Sequence, residues 1–200
     1  GTAGLTAGLC IKEIENHIPI NNLKVIVSGS TGGVGSLAVK LLSLMGAEVT
    51  AITGKKNSDQ YLYDLGSSKI IHRKEFLDST RLPLSKGVYN AAVDAVGGNI
   101  LSSMLASMQY NGIITACGNV AGANFTTSVF PFILRRNHLI GIDSATCPIS
   151  IREEIWNKFS KSWNLKNLGH ICKVIDLSSL DNEIKKILCG EQVGRIIVRL

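Results

Sequence analysis

Val25-Ile26-Val27-Ser28-Gly29-Ser30-Thr31-Gly32-Gly33-Val34-Gly35 runs from a short apolar, β-branched segment into a glycine-rich turn. Apolar residues then recur at Val34, Leu37, Ala38, Leu41, Leu42 and Met45, the spacing of one helix face. Strand, glycine turn and helix in that order leave backbone N–H groups unpaired at the positive end of a helix dipole. The product is an anion site suited to a pyrophosphate. Gly32 allows the backbone to approach the phosphates, and Gly35 allows the helix to pack closely on its strand. Ser30 stands where the usual G-x-G-x-x-G has its first glycine, so the stretch reads S-x-G-x-x-G. A tight strand-to-helix turn with no ligand is the alternative reading of the same residues.

A dinucleotide site keeps its ribose reader about twenty residues further on. There the strand Glu48-Val49-Thr50-Ala51-Ile52-Thr53 runs into Gly54-Lys55-Lys56. An NAD site usually carries Asp or Glu at this exit to accept hydrogen bonds from the ribose 2′-hydroxyl. Here the exit is basic, which suits a 2′-phosphate. A third strand, Lys69-Ile70-Ile71-His72, exits at Arg73. In the strand order 3-2-1-4-5-6 these two strands are neighbours, so Lys55 and Arg73 are expected to converge on one phosphate. The cofactor read from this pattern is NADP(H). Two solvated surface cations are the competing interpretation.

The chain has 200 residues, 45% hydrophobic and 18% charged, with twenty glycines and a net charge of +6. Its basic residues are scattered, without a long Lys/Arg block or interleaved aromatics, which argues against nucleic acid as partner. Five cysteines include no C-x-x-C, and they do not pair with the four histidines at ligand spacing. No metal site is expected, and an odd number of thiols suits a reducing cytoplasm. No apolar run approaches the roughly 20 residues that span a bilayer, and no signal peptide is recognised.

Along the chain, residues 1–16 read as a helix and residues 23–54 as the strand, turn, helix and strand already described. Ser58 is a candidate N-cap for a short helix ended by Gly66, and residues 77–87 read as a loop. A fourth strand at 90–96, a helix through Met108, a fifth strand at 112–117 and a sixth at 139–143 follow, with a short helix at 131–134 between the last two. This alternation over residues 23–144 predicts an α/β fold with a doubly wound parallel sheet of the Rossmann kind. Ligands in such sheets sit outside the carboxyl ends of the strands, so Gly118-Asn119 should face the nicotinamide half of the cofactor. Residues 1–144 are expected to form the NADP-binding domain. Residues 145–200 hold helical spacing from Ile151 to Trp163, a strand at 172–177, a helix at 180–188 and a last strand at 194–200. They read as a segment that packs on, or returns to, a catalytic domain outside this chain, with its strands pairing there.

Gly1-Thr2-Ala3-Gly4-Leu5-Thr6-Ala7, Gly29-x-x-Gly32-Gly33-Val34-Gly35 and Gly194-Arg195 together resemble zinc-free medium-chain dehydrogenase/reductases. Within that superfamily the chain is most similar to the acrylyl-CoA reductase or quinone oxidoreductase subfamily. The echoes include Thr53-Gly54-Lys55, Ile71-His72-Arg73, Asp94-Ala95-Val96-Gly97, Ala116-Cys117-Gly118 and Gly141-Ile142-Asp143-Ser144. The resemblance implies an NADPH-dependent reductase of an activated carbon–carbon double bond, such as acrylyl-CoA giving propionyl-CoA, with quinones or other enones as alternative acceptors. Carried over by position, Ser30, Thr31, Gly32, Gly33 and Val34 hold the pyrophosphate. Thr53, Gly54, Lys55 and Arg73 hold the 2′-phosphate, while Asn119, Ile133 and Ser144 line the nicotinamide end. Lys55 stands in place of the family's arginine, keeping the charge but losing a planar fork. The resemblance places the substrate-binding domain upstream of Gly1, so no catalytic residue is assigned and this chain alone is expected to be inactive. It also implies a homodimer paired through residues 139–143.

Two other classes fit parts of the sequence. A methyltransferase using S-adenosylmethionine would need an acidic residue at the second strand's exit, against Gly54-Lys55-Lys56. A non-catalytic nucleotide-binding or RNA-associated protein would use the basic surface instead.

Overall fold

The computed structural model describes residues 1–166 and 168–200. Six strands form one sheet in the order β3-β2-β1-β4-β5-β6, every neighbouring pair parallel. They are β1 (Lys24–Val27), β2 (Glu48–Thr53), β3 (Lys69–His72), β4 (Tyr89–Asp94), β5 (Met108–Ala116) and β6 (His138–Gly141). The central strands are apolar on both faces, as a sheet covered on both sides requires. Val25, Val27, Val49, Ala91, Val93 and Ile113 enter one core, whereas Ile26, Ile52, Ile71, Ala92 and Ile114 enter the other. That division follows from the two-residue period of a strand.

Helices α1 (Thr2–His17) and α2 (Gly33–Leu44) supply the first core with Leu5, Ile11, Ile14, Leu41 and Leu42. The second core takes Phe76 from α4 (Arg73–Ser79) and Ile100, Leu101, Met104 and Leu105 from α5 (Gly98–Ser107). The short α3 (Asp59–Asp64) and α6 (Phe130–Ile133) lie between strands. Ser58 does precede α3, but its hydroxyl does not cap that helix. It donates instead to the Lys55 carbonyl at 3.1 Å. Helix α4 occupies the start of the stretch read as loop. At seven residues it shows too little periodicity to detect, and burial of Phe76 holds it. Met108, read as the end of a helix, opens β5 instead, because it pairs with Tyr89 across a register shift.

Beyond the sheet, α7 (Ile149–Ser160) packs on α1. A Cβ on Gly8 would sit 2.6 Å from Ile155 Cγ2, so only glycine admits this approach without movement. Glu15 and Lys158 pair across the same seam at 2.7 Å, and Lys12 pairs with Glu154. Strands β7 (Cys172–Asp176) and β8 (Arg195–Arg199), joined through α8 (Leu180–Leu188), form a separate parallel pair. These two strands, read as pairing outside the chain, pair with each other as a two-stranded sheet whose outer edges have no strand beside them among the described residues. Among the described residues no helix is long and apolar enough to cross a membrane.

Candidate functional site

The turn between β1 and α2 owes its shape to its glycines. Gly29 adopts φ +58°, the left-handed region, and its carbonyl accepts a hydrogen bond from Gly32 N–H at 2.8 Å. A Cβ on Gly35 would lie 2.2 Å from that same carbonyl oxygen. The first turn of α2 therefore rests directly on the strand's exit, as its spacing in the sequence implies. Ser30 is buried, and its hydroxyl donates to the Val27 carbonyl at 2.7 Å. Its side chain thus shapes the turn. No side chain caps α2, whose first turn holds Gly33, Val34 and Gly35. Their N–H groups remain open to an anion.

Parallel pairing of β2 with β3 sets Thr53 opposite His72, so the next residues on each strand, Gly54 and Arg73, are neighbours. The Arg73 guanidinium lies against Gly54, where a Cβ would come within 3.0 Å of Cζ. Lys55 reaches back toward the glycine turn, its Nζ donating to Thr31 Oγ1 at 2.8 Å and to the Gln192 carbonyl. Burial holds its ammonium below the ordinary lysine range. Thr53 Oγ1 accepts the Lys55 N–H at 3.1 Å and shares a hydrogen bond with Ser58 Oγ at 3.2 Å, which fixes the loop carrying the cation.

One cavity of about 630 Å³ is lined by Thr31, Thr53, Gly54, Lys55 and Arg73 together. The two cations therefore face the same space, beside the glycine turn. Its far wall is apolar, formed by Val96, Ile100, Val120 and Ala121. Asp94 supports that wall from below. Its carboxylate accepts hydrogen bonds from Ser28 Oγ and from the Val96 and Gly97 N–H groups. Burial pushes its pKa up, and these bonds oppose the rise.

Asn119, Ile133 and Ser144 do not line this cavity. They lie toward the other half of the sheet, where Ala116 of β5 pairs with Gly141 of β6. Asn119 and Ile133 are exposed, and Ser144 Oγ accepts a hydrogen bond from Thr6 Oγ1 at 2.7 Å. The exits of neighbouring strands thus carry two groups of residues, one at each end of the carboxyl edge of the sheet.

Two contributors escaped the sequence reading. Arg195 lies over Gly33, where a Cβ would meet its Cδ at 2.6 Å and an Nη atom at 2.7 Å, so a guanidinium stands at the open end of α2. Cys189, Gly190, Glu191 and Val193 line the cavity, in a segment anchored by Gly194 N–H donating to the Thr31 carbonyl at 2.8 Å. Neither had a local signal, because each is brought from more than a hundred residues away. Tyr61 ties α3 to α2 by donating to Ser36 Oγ at 2.8 Å.

A parallel sheet in this order, with a glycine turn at the first crossover and cations at the second and third exits, defines a dinucleotide-binding type of Rossmann domain. A family model described as zinc-binding dehydrogenase matches residues 33–161, and the chain belongs to that family. Within it, the chain falls among the zinc-free medium-chain dehydrogenase/reductases, in the acrylyl-CoA reductase and quinone oxidoreductase group. It is 36% identical to the acrylyl-CoA reductase AcuI of Ruegeria pomeroyi, over 99% of this chain and 60% of that protein. Two solved structures superpose closely. The yhdH oxidoreductase of Salmonella enterica, in complex with NADP, gives a TM-score of 0.91 at 36% identity. The Bacillus subtilis protein yhfP, with NAD bound, gives 0.92 at 38%. This chain matches over its full length and spans 61% of each of those two proteins. Among the described residues no three His, Cys, Asp or Glu side chains are grouped to hold a metal.

Proposed function

We propose that this chain is the NADPH-binding part of a cytoplasmic reductase that saturates an activated carbon–carbon double bond in an acyl-CoA thioester, of which acrylyl-CoA giving propionyl-CoA is the simplest case. The observation that carries the reading is the convergence of Lys55 and Arg73 on one cavity beside an uncapped helix N-terminus. One fixed anion site and one pair of cations match the pyrophosphate and the 2′-phosphate of NADPH. The relatives named for acrylyl-CoA reduction and for binding NADP support the same reading.

In this assignment the turn of residues 30–34 and Arg195 take the pyrophosphate, the turn through the open N–H groups of Gly33 and Val34 and Arg195 through its guanidinium. Thr53, Gly54, Lys55 and Arg73 take the 2′-phosphate. Lys55 Nζ exchanges its Gln192 carbonyl partner for a phosphate oxygen as it does so. Asn119, Ile133 and Ser144 flank the nicotinamide. Bound NADPH supplies the hydride, which adds to the β-carbon of the acceptor while a proton adds to the α-carbon. Residues 1–144 form the cofactor domain and 145–200 the part that returns toward the substrate domain. A second copy would add its strand along β6, the edge of the sheet.

The test is a fluorescence titration of the chain with NADPH and with NADH. NADPH should bind at least about tenfold more tightly, and Lys55→Glu should abolish that preference, since it places a repelling charge where the phosphate sits. Equal affinity for both cofactors in the unmodified chain sinks the assignment.

A further inference from the structure

Residues 189–193 form a strap over the cavity, leaving the end of α8 and entering β8. Its course is set by backbone bonds at both ends. Glu191 N–H donates to the Lys186 carbonyl at 2.8 Å, and Gly194 N–H donates to the Thr31 carbonyl at 2.8 Å. Between them the Gln192 carbonyl accepts from Lys55 Nζ. The strap thereby brings Glu191, an acidic residue, into the lining of the same cavity as Lys55 and Arg73. A site made only to grip a dianionic phosphate has no use for an acidic residue in its lining, because like charges repel even across solvent. An unphosphorylated ribose, by contrast, offers hydroxyl donors that a carboxylate accepts well.

We propose that Glu191 is a specificity-determining residue that holds down the preference of this site for the 2′-phosphorylated cofactor and so keeps NADH usable. The inference rests on the NADPH reading given above and deepens it. Lys55 and Arg73 favour the phosphate, while Glu191 and the strap carbonyl oppose it, the first by repulsion and the second by competing for the Lys55 ammonium. The cofactor ratio follows from the balance of these groups rather than from the cations alone.

Glu191 is exposed, so Glu191→Gln should leave folding intact, which circular dichroism and the melting temperature would verify. The chain and this variant are titrated with NADPH and NADH at low and high salt. The variant should bind NADPH more tightly by roughly threefold to tenfold, the size of one partly solvated like-charge interaction. NADH affinity should stay the same or fall, and the gain for NADPH should shrink as salt rises. Glu191→Lys should move the ratio further in the same direction. An unchanged NADPH affinity, or an equal factor for both cofactors, overturns the proposal while leaving the NADPH reading in place. Absence of NADPH preference in the unmodified chain overturns both.

Discussion

Replacing Gly35 by alanine tests the joint between turn and helix on which the anion site depends. The added methyl would sit 2.2 Å from the Gly29 carbonyl oxygen, 2.7 Å from its carbon and 2.8 Å from the Ser30 Cα. All three atoms are backbone, so no side-chain rotation relieves the overlap. Ordinary carbon–oxygen contact begins at about 3.3 Å, so either the turn or α2 must move by about 1 Å. Overpacking of this kind costs about 1–3 kcal/mol, and each kcal/mol lowers the melting temperature of a domain this size by about 2–4 °C. A fall of about 5 °C is expected. The displaced N–H groups should also weaken NADPH binding at least tenfold, about 1.4 kcal/mol. Differential scanning fluorimetry with and without NADPH reads both quantities. Gly141→Ala is the control, because a Cβ there meets nothing within 4 Å. If Gly35→Ala melts and binds like the unmodified chain while this control behaves as stated, the close packing of α2 on β1 is not what shapes the site.

Arg195→Ala should weaken NADPH and NADH by the same factor, about tenfold, because a guanidinium over Gly33 faces the part the two cofactors share. Loss confined to NADPH in parallel titrations would move Arg195 to the 2′-phosphate instead. The pH dependence follows from Lys55, whose pKa burial holds below 10.5. Phosphate binds the protonated ammonium, so this part of NADPH affinity is complete below the lowered pKa and fades as pH rises through it. NADPH affinity should therefore decline as pH rises through the alkaline range, earlier than an ordinary lysine allows, with NADH as the reference. A flat NADPH profile across that range would show that Lys55 does not hold the phosphate.

Much of this architecture is legible along the chain, because the signals concerned are local. Alternating apolar runs and helical spacing from Val25 to Ile142 specify parallel strands with crossover helices, and the observed order places β2 between β3 and β1. Once those strands are neighbours, in-register pairing of Thr53 with His72 is enough to bring Gly54, Lys55 and Arg73 together. The spacing of Gly29, Gly32 and Gly35 likewise anticipates a helix seated against a strand's exit. Short elements fare worse. Helix α4 has a single buried apolar residue, and Met108 looks helical until Tyr89 pairs with it.

What the linear order determines, then, is the sheet, the turn and the two cations, since each depends on neighbours in sequence or on neighbouring strands. Folding alone decides the inward aim of the Ser30 hydroxyl, the guanidinium of Arg195 over Gly33, and the strap that sets the Gln192 carbonyl on Lys55 and Glu191 in the lining of the cavity. The last two depend on contacts between residues more than 130 positions apart, which no local periodicity encodes. They arise because α7 and the β7–β8 pair pack back across α1 and the glycine turn.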